Sequence, residues 1–156
     1  MARHKGREQA LQMLFQWDVR RTATETPDLE DVLNGYYGSL LVSEDAPNVE
    51  PRDPFAESLL RGVVADIVVI DEIIARHAAN WKIPRMPVVD RNVLRIGIHE
   101  MMRTDTPAAV AIDEGLEIAR RFSGEESVQF VNGVLDAAMR ELKPKRQAPG
   151  PAITEV

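Results

Sequence analysis

The stretch Asp53-Pro-Phe-Ala-Glu-Ser-Leu-Leu-Arg-Gly-Val-Val-Ala-Asp-Ile-Val-Val-Ile-Asp-Glu-Ile-Ile-Ala-Arg-His77 carries the strongest helical pattern in the chain. Its apolar residues recur at spacings of three and four, which places them on one face of a helix. That face carries Phe55, Leu59, Leu60, Val63, Ile67, Ile70, Ile74 and His77. The helix is predicted to begin at Asp53-Pro54, because the aspartate can accept a hydrogen bond from a free backbone N–H and proline suits the first helical position. We expect a bend near Asp66, where the apolar stripe broadens.

Helical spacing continues through most of the chain, and no stretch shows the sustained apolar/polar alternation that is typical of strands. Further helices are predicted over about 7–22, 29–42, 87–103, 107–122 and 125–142. Pro87 and Pro107 mark two of these starts, and Gly124 suits the left-handed residue that ends a helix. Residues 43–53 are predicted to form an exposed loop, and residues 143–156 a disordered tail rich in proline.

Short connections between helices of this length predict an all-α fold, a helical bundle of six to seven helices. We expect a single domain over residues 1–142, made of two packed three-helix halves at about 1–80 and 81–142. A chain of 156 residues, 44% of them hydrophobic, can bury one such core. It contains neither an apolar run that could span a membrane nor an apolar signal-peptide centre near its start, so a cytoplasmic location is expected.

The charge is distributed unevenly along the chain, whose net charge is −6. Arg3, Lys5 and Arg7 give the first seven residues a charge of +3, with a titratable His4 beside them. Residues 24–57 instead carry a charge of −8. The cationic start is either a solvated terminus or a handle for phosphate groups, and the charge pattern leaves both interpretations open.

Motifs for catalysis or metal binding are absent from the sequence. The chain has no cysteine, and its histidines lack the spacing of a helical metal site. No phosphate-binding loop, dinucleotide fingerprint or nucleophile elbow occurs. Acid pairs such as Asp71-Glu72 diverge by about 100° around a helix, so we expect them to be solvated or paired with arginines such as Arg95. We predict neither an enzyme nor a bound cofactor or metal, with His77 at a helix end and His99 on a helix surface.

Three segments carry a more specific resemblance: Arg7-Glu-Gln-Ala-Leu-Gln-Met-Leu-Phe-Gln-Trp17, Asp90-Arg-Asn-Val-Leu-Arg-Ile-Gly-Ile-His-Glu100 and Phe130-Val-Asn-Gly-Val-Leu-Asp136. Together with residues 107–122, they resemble the NusB family of bacterial transcription antitermination factors over roughly residues 3–142. The resemblance implies an all-helical fold that binds the boxA element of nascent RNA jointly with NusE, a small-subunit ribosomal protein. It also implies a complex on RNA polymerase that suppresses termination, notably on ribosomal RNA operons, without a catalytic step.

The resemblance also implies site residues. The RNA-binding positions of the family fall on Arg3, His4, Lys5, Arg7, Gln12, Glu126 and Phe130. The positions that the family uses around NusE fall on Phe15 and Asp90. Phe130 lies one residue off the stripe formed by Val128, Val131 and Leu135, which leaves both partial exposure and core packing open for its ring. Phe15 likewise lies on a stripe of the first helix that is predicted to face the core.

Two other functions remain as alternatives. Some RNA cytosine methyltransferases carry a NusB-like N-terminal domain before a long catalytic domain with a glycine-rich cofactor loop. The Pro-rich end of this chain is expected to disfavour a methyltransferase. A helical protein–protein adaptor without RNA binding is the second alternative. Members of the family can also pair through the face that would hold RNA, so a homodimer is an alternative to a monomer.

Overall fold

The computed structural model describes residues 2–41 and 52–147, and these residues form seven α-helices and no strand. The helices are α1 (Ala2–Arg20), α2 (Leu29–Leu41), α3 (Pro54–Ala65), α4 (Ile67–His77), α5 (Val88–Arg103), α6 (Ala108–Phe122) and α7 (Glu125–Gln147). A short 3₁₀ turn, Ile83–Arg85, lies between α4 and α5. The all-α fold predicted from the spacing of apolar residues is confirmed. Most of the predicted loop over 43–53 lies outside the described residues.

Two compact units divide the chain, Met1–Ala65 and Asp66–Val156. The boundary therefore lies between residues 65 and 66, whereas the sequence pattern placed it near residue 80. The reason is that the predicted long helix over 53–77 is two helices, α3 and α4. They are separated at Asp66, whose backbone has φ −104° and ψ 20°. The bend expected at this residue is confirmed as a complete break.

The first unit packs α1 against α2 and α3. Its largest fully buried side chains are Met13, Leu14, Trp17, Leu33, Leu59 and Leu60. The predicted start of α3 is confirmed, because the Phe55 backbone N–H donates to Asp53 Oδ1 at 2.9 Å. Helix α1, in contrast, begins at Ala2 and not at about residue 7 as predicted.

A close contact at Gly6 accompanies this longer α1. A Cβ at Gly6 would lie 2.8 Å from both Asp53 Oδ2 and Phe55 Cδ2, so only glycine lets α1 approach the beginning of α3 this closely. The first turns of α1 are thus packed against another helix, although their sequence alone shows mostly charge. Such a contact between distant parts of the chain has no local signal, and this is why the predicted start was wrong.

The second unit is built around α5, which contacts α4, α6 and α7. From Asp90 to Met101, every residue of α5 except Arg91 is buried. A Cβ at Gly97 would lie 2.9 Å from Leu135 Cδ2, so α5 and α7 approach closely at this point. The turn before α7 contains Gly124 at φ +112°, the left-handed residue that was predicted there. Helix α7 continues to Gln147, beyond its predicted end at residue 142, and residues 148–156 of the predicted tail lie outside the described residues.

Two buried polar side chains of α5, Arg95 and Asn92, are hydrogen-bonded inside the second unit. Arg95 is 2% exposed, and its Nε and Nη2 donate to Asp71 Oδ1 and Oδ2 at 2.8 and 2.9 Å. Its Nη1 donates to Asn92 Oδ1 at 3.0 Å, and Asn92 Nδ2 donates to the Val88 carbonyl at 2.9 Å. His99 is also buried, so its predicted place on a helix surface was wrong, and burial lowers its pKa.

An ion cluster links α4 to α7. Glu141 accepts hydrogen bonds from Arg76 Nε at 3.0 Å and Arg76 Nη2 at 2.6 Å, and its Oε1 lies 2.8 Å from His77 Nε2. The hydrogen bond from Arg76 is the main cause that lowers the pKa of Glu141 to about 2, with a further contribution from His77. His77 is the last residue of α4, which confirms its predicted place at a helix end.

We predict that Asp71→Ala lowers the free energy of unfolding by about 3–5 kcal/mol, because it removes the carboxylate that accepts two hydrogen bonds from the buried Arg95 guanidinium. The matched control is Asp66→Ala. Asp66 also accepts two hydrogen bonds from one arginine, Arg103, and the Asp66 and Asp71 side chains are equally exposed at 23%. The Arg103 side chain is 55% exposed, so water screens this pair and the loss should be far smaller. Equal losses in urea unfolding would show that the burial of Arg95 does not matter.

We also predict that Glu141 stabilises the fold in a pH-dependent way. Its pKa is lower in the folded chain than the ordinary 4.5, so its stabilisation is complete above about pH 4.5 and is lost as the pH falls towards 2. Glu141→Gln should therefore lower Tm at pH 6, and the difference from the wild type should shrink steadily at pH 4 and pH 3. A difference in Tm that stays constant over this range would contradict the assignment.

Candidate functional site

The cationic start of the chain forms the first two turns of α1. Arg3 and Lys5 are exposed there, whereas Arg7 is only 4% exposed. The guanidinium groups of Arg3 and Arg7 lie over the Phe55 ring, at 5.0 and 5.4 Å from its centroid. The cationic segment that was predicted to bind phosphate is thus the N-terminal end of α1, and it packs against α3. Arg7 contributes to this anchoring and presents little surface to a ligand.

His4 has a partner within the same helix. Its Nε2 lies 3.0 Å from Glu8 Oε1, one turn further along α1. A protonated His4 would form an ion pair with this carboxylate. The charge pattern alone gave no partner for His4, and the structure places Glu8 beside it.

Gln12 is exposed on α1 and is oriented by a buried phenol. Tyr36 Oη donates to Gln12 Oε1 at 2.6 Å. Burial raises the pKa of Tyr36 to about 12, so the phenol keeps the proton that it donates. Because the amide oxygen of Gln12 accepts this bond, the side chain presents its NH₂ group as a hydrogen-bond donor.

Phe15 lies on the outer side of α1 and not in the core. It is 41% exposed, while Leu11 and Leu14 are buried. Val19, one turn further along the helix, is 53% exposed. The two side chains form an apolar strip on the surface of the first unit. The sequence analysis missed Val19, although its spacing of four from Phe15 is a signal that could have identified it.

Asp90 is the predicted site residue whose surroundings differ most from the expectation. It is 3% exposed, and its Oδ1 and Oδ2 accept hydrogen bonds from Ser123 Oγ at 2.6 Å and Ser127 Oγ at 2.8 Å. Its carboxylate therefore joins α5 to the junction between α6 and α7. Asp90 can position neighbouring residues, but it does not lie at a surface where a partner would touch it.

Glu126 and Phe130 lie one turn apart on α7. Glu126 is exposed and Phe130 is half-buried. The Phe130 ring packs against Trp81, with a centroid distance of 5.9 Å and an interplanar angle of 43°. Trp81 is itself 49% exposed. Phe130 is therefore part of an aromatic pair at the surface, and the sequence analysis did not single out its partner.

The first unit thus brings together Arg3, Lys5, Gln12 and Phe15 on α1, and the second unit brings Glu126 together with Phe130. Within the described ranges, no helix combines the length and the apolar character that crossing a membrane requires. Cations, amide donors and exposed rings are groups that bind nucleic acid and protein partners. The fold and these residues define a small helical binding protein.

A family model described as the NusB family matches residues 4–140. The transcription antitermination protein NusB of Solibacter usitatus (strain Ellin6076) is 51% identical over 148 residues, which cover 95% of this chain and 94% of the relative. The chain belongs to the NusB family, and the resemblance seen in its motifs is confirmed. It is an antitermination factor by family and not an enzyme.

Solved structures show the same fold. NusB of T. maritima is 35% identical with a TM-score of 0.72, over 92% of this chain and 94% of that one. The chain is also similar to a chain in a structure described as a crystal structure of the antitermination factors NusB and NusE in complex with dsRNA, with a TM-score of 0.70 at 24% identity. That match covers 90% of this chain and 99% of the other and shows the shared fold.

Proposed function

We propose that this protein binds the boxA element of nascent RNA jointly with NusE in the cytoplasm. The pair would join the complex on RNA polymerase that suppresses termination and so promote transcription of ribosomal RNA. The observation that carries the proposal is the fixed cationic end of α1, where Arg3 and Lys5 are exposed and Phe55 anchors the helix. Membership of the NusB family supports it, since one protein of this fold has been crystallised with NusE and dsRNA.

The proposed RNA contacts divide between phosphates and bases. Arg3 and Lys5 contact phosphates, with His4 as a third group between them on the same helix end. The NH₂ group of Gln12 donates a hydrogen bond to the RNA. Arg7 is buried against Phe55 and positions the end of α1. Single-stranded RNA needs few charges when aromatic side chains hold its bases, which suits a chain whose net charge is −6.

On α7, Phe130 stacks on a base, and the Glu126 carboxylate accepts a hydrogen bond from an exocyclic amino group of a neighbouring base. The spacing of four residues puts both side chains on one face of the helix. Glu126 is exposed, so it can reach a base edge without losing a partner inside the described part of the chain. A carboxylate repels phosphates, which favours contact with base edges over contact with the backbone of the strand.

The proposed contact with NusE uses the apolar strip of Phe15 and Val19. Exposed aromatic and aliphatic side chains of this kind form the centre of many protein interfaces. The acidic chain around them attracts a basic ribosomal protein and increases its association rate. Asp90 acts as a positioning residue, because it is buried under Ser123 and Ser127.

The experiment that tests the function is a titration of the protein, alone and with its cognate NusE, into labelled boxA RNA and a scrambled RNA of equal length. We expect tighter binding to boxA, and NusE should strengthen it by the same factor by which RNA strengthens NusE binding. Absence of RNA binding with and without NusE would instead support the adaptor alternative. Sizing the protein with and without RNA tests the homodimer, which should dissociate on RNA binding if both use the same face.

For the cationic helix end, we predict that Arg3→Ala combined with Lys5→Ala flattens the plot of log affinity against log salt by about 1.4. Each phosphate contact with a single strand contributes about 0.7 to this slope. The control is Arg20→Ala with Arg21→Ala, which removes the same charge from the other end of α1. Residues 5 and 20 are about 22 Å apart along the helix axis, well beyond the screening length of about 10 Å at 0.1 M salt.

The control pair should leave the slope unchanged, and equal slopes for wild type and the Arg3/Lys5 variant would remove these two residues from the RNA site. Arg7→Ala should behave differently from both. Because Arg7 is buried against the Phe55 ring, its loss should lower Tm by more than the loss of Arg3 does.

For the apolar strip, we predict that Phe15→Ser with Val19→Ser weakens NusE binding at least about tenfold, as expected for apolar anchors at the centre of an interface. The affinity of the protein alone for RNA should stay unchanged. Val110→Ser, which alters a comparably exposed valine on α6, serves as the control and should bind NusE like the wild type. Calorimetry measures NusE binding by the wild type, the double variant and the Val110 variant. Wild-type affinity in the double variant would show that NusE binds another surface.

A further inference from the structure

The connection between α4 and α5 carries an exposed ring and two cations that lie outside the site residues discussed so far. Trp81 is 49% exposed although tryptophan has the largest apolar surface of any side chain. One part of it packs on Phe130, and the rest faces solvent. Tryptophan is enriched at binding interfaces, because its ring is largely apolar while its indole N–H is polar.

Lys82 directly follows Trp81 in the chain, and Arg85 lies four residues after it. Both side chains are exposed, and within residues 52–147 neither forms an ion pair. Lys82 directly precedes the 3₁₀ turn, and Arg85 is the last residue of that turn. Two uncompensated cations next to an exposed ring are complementary to a ligand that combines a flat apolar face with negative charge.

The backbone of this connection is held in place from several sides. The Trp81 N–H donates to the Ala78 carbonyl at 2.8 Å, and the Met86 N–H donates to the Ile83 carbonyl at 3.1 Å. Met86 is 2% exposed, so its side chain anchors the end of the turn in the core of the second unit. Arg91 Nη1 lies 3.4 Å from the carbonyl oxygens of both Ile83 and Met86. The ring and the two cations are therefore preorganised, which lowers the entropic cost of binding.

We infer that Trp81 stacks on a base of single-stranded RNA while Lys82 and Arg85 contact the phosphates on either side of that base. The inference rests on the proposed RNA binding and extends it from Phe130 on α7 to the connection between α4 and α5. Single-stranded RNA alternates aromatic bases with phosphates and so matches both features of this surface. An acidic peptide would match the cations but would leave the Trp81 ring with no regular partner.

Tryptophan fluorescence tests the stacking directly. The chain has two tryptophans, and Trp17 is 1% exposed, so a ligand-dependent change in emission reports on Trp81. Titration with boxA RNA should quench the wild-type emission along the same curve as RNA binding followed by anisotropy of a labelled strand. Trp81→Phe should bind RNA with nearly wild-type affinity and show no quenching, because phenylalanine keeps a ring for stacking.

Alanine variants measure the contribution to affinity. Trp81→Ala should weaken RNA binding about 5- to 150-fold, the range that corresponds to the loss of one base stack. Lys82→Gln with Arg85→Gln should flatten the salt slope by about 1.4 and leave the quenching in place. Val68→Ala, which shortens another exposed apolar side chain of the second unit, is the control and should bind like the wild type. Tm values of all variants verify that they fold.

The outcomes separate this inference from the proposed function. If the wild type binds boxA RNA without quenching, and Trp81→Ala binds equally well, the role of Trp81 is overturned while RNA binding stands. If the wild type binds no RNA with or without NusE, the proposed function itself fails and the inference fails with it. If Trp81→Ala weakens NusE binding and leaves RNA binding unchanged, the ring contacts protein and the inference is wrong.

Discussion

Helix α5 is enclosed by α4, α6 and α7, and its polar side chains have to find partners inside the second unit. A buried ion without a partner costs several kcal/mol, so the paired arrangement restricts how the surrounding helices can pack. Arg95 satisfies this condition through the carboxylate of Asp71 on α4 and the amide of Asn92 on its own helix. Apolar contacts such as that between Gly97 and Leu135 allow close packing, and the polar pairs determine which side of α5 each helix faces.

The same helix holds the proposed recognition residues of the second unit. At its first turn, the Asp90 carboxylate binds Ser123 and Ser127, which flank the start of α7. The next residue, Arg91, lies against the carbonyls of the turn that follows Trp81. The two segments that carry Phe130 and Trp81 are thus both attached to the beginning of α5. A substitution at Asp90 can therefore disturb ligand binding although the residue touches no ligand, which reconciles its place in a family motif with its burial.

Local signals were sufficient to predict most of the helices. Pro54, Pro87 and Pro107 mark starts within one residue of those observed, because proline and a capping carboxylate act within a single turn. Two features that local signals could not predict, the start of α1 and the burial of Asp90, depend on contacts between distant residues. The extension of α1 to Ala2 is accompanied by close packing of Gly6 against Phe55, and the buried Asp90 carboxylate is hydrogen-bonded by serines more than thirty positions away.

The candidate site shows the same division between local and distant information. The exposure of Phe15 could be read from helical spacing once the opposite face of α1 was known to form the core. The half-buried state of Phe130 could not be predicted from helical spacing, because it depends on contact with Trp81. Trp81 precedes Phe130 by almost fifty residues and lies in the connection between α4 and α5. Within residues 52–147, Lys82 and Arg85 form no ion pair and are therefore available to the proposed ligand, whereas Arg95 is paired with Asp71. Affinity from phosphate contacts falls with added salt, whereas the proposed stacking on Phe130 and Trp81 releases no counterions and would persist. In an acidic chain with few cations, the proposed stacking would therefore maintain binding that phosphate contacts alone would lose.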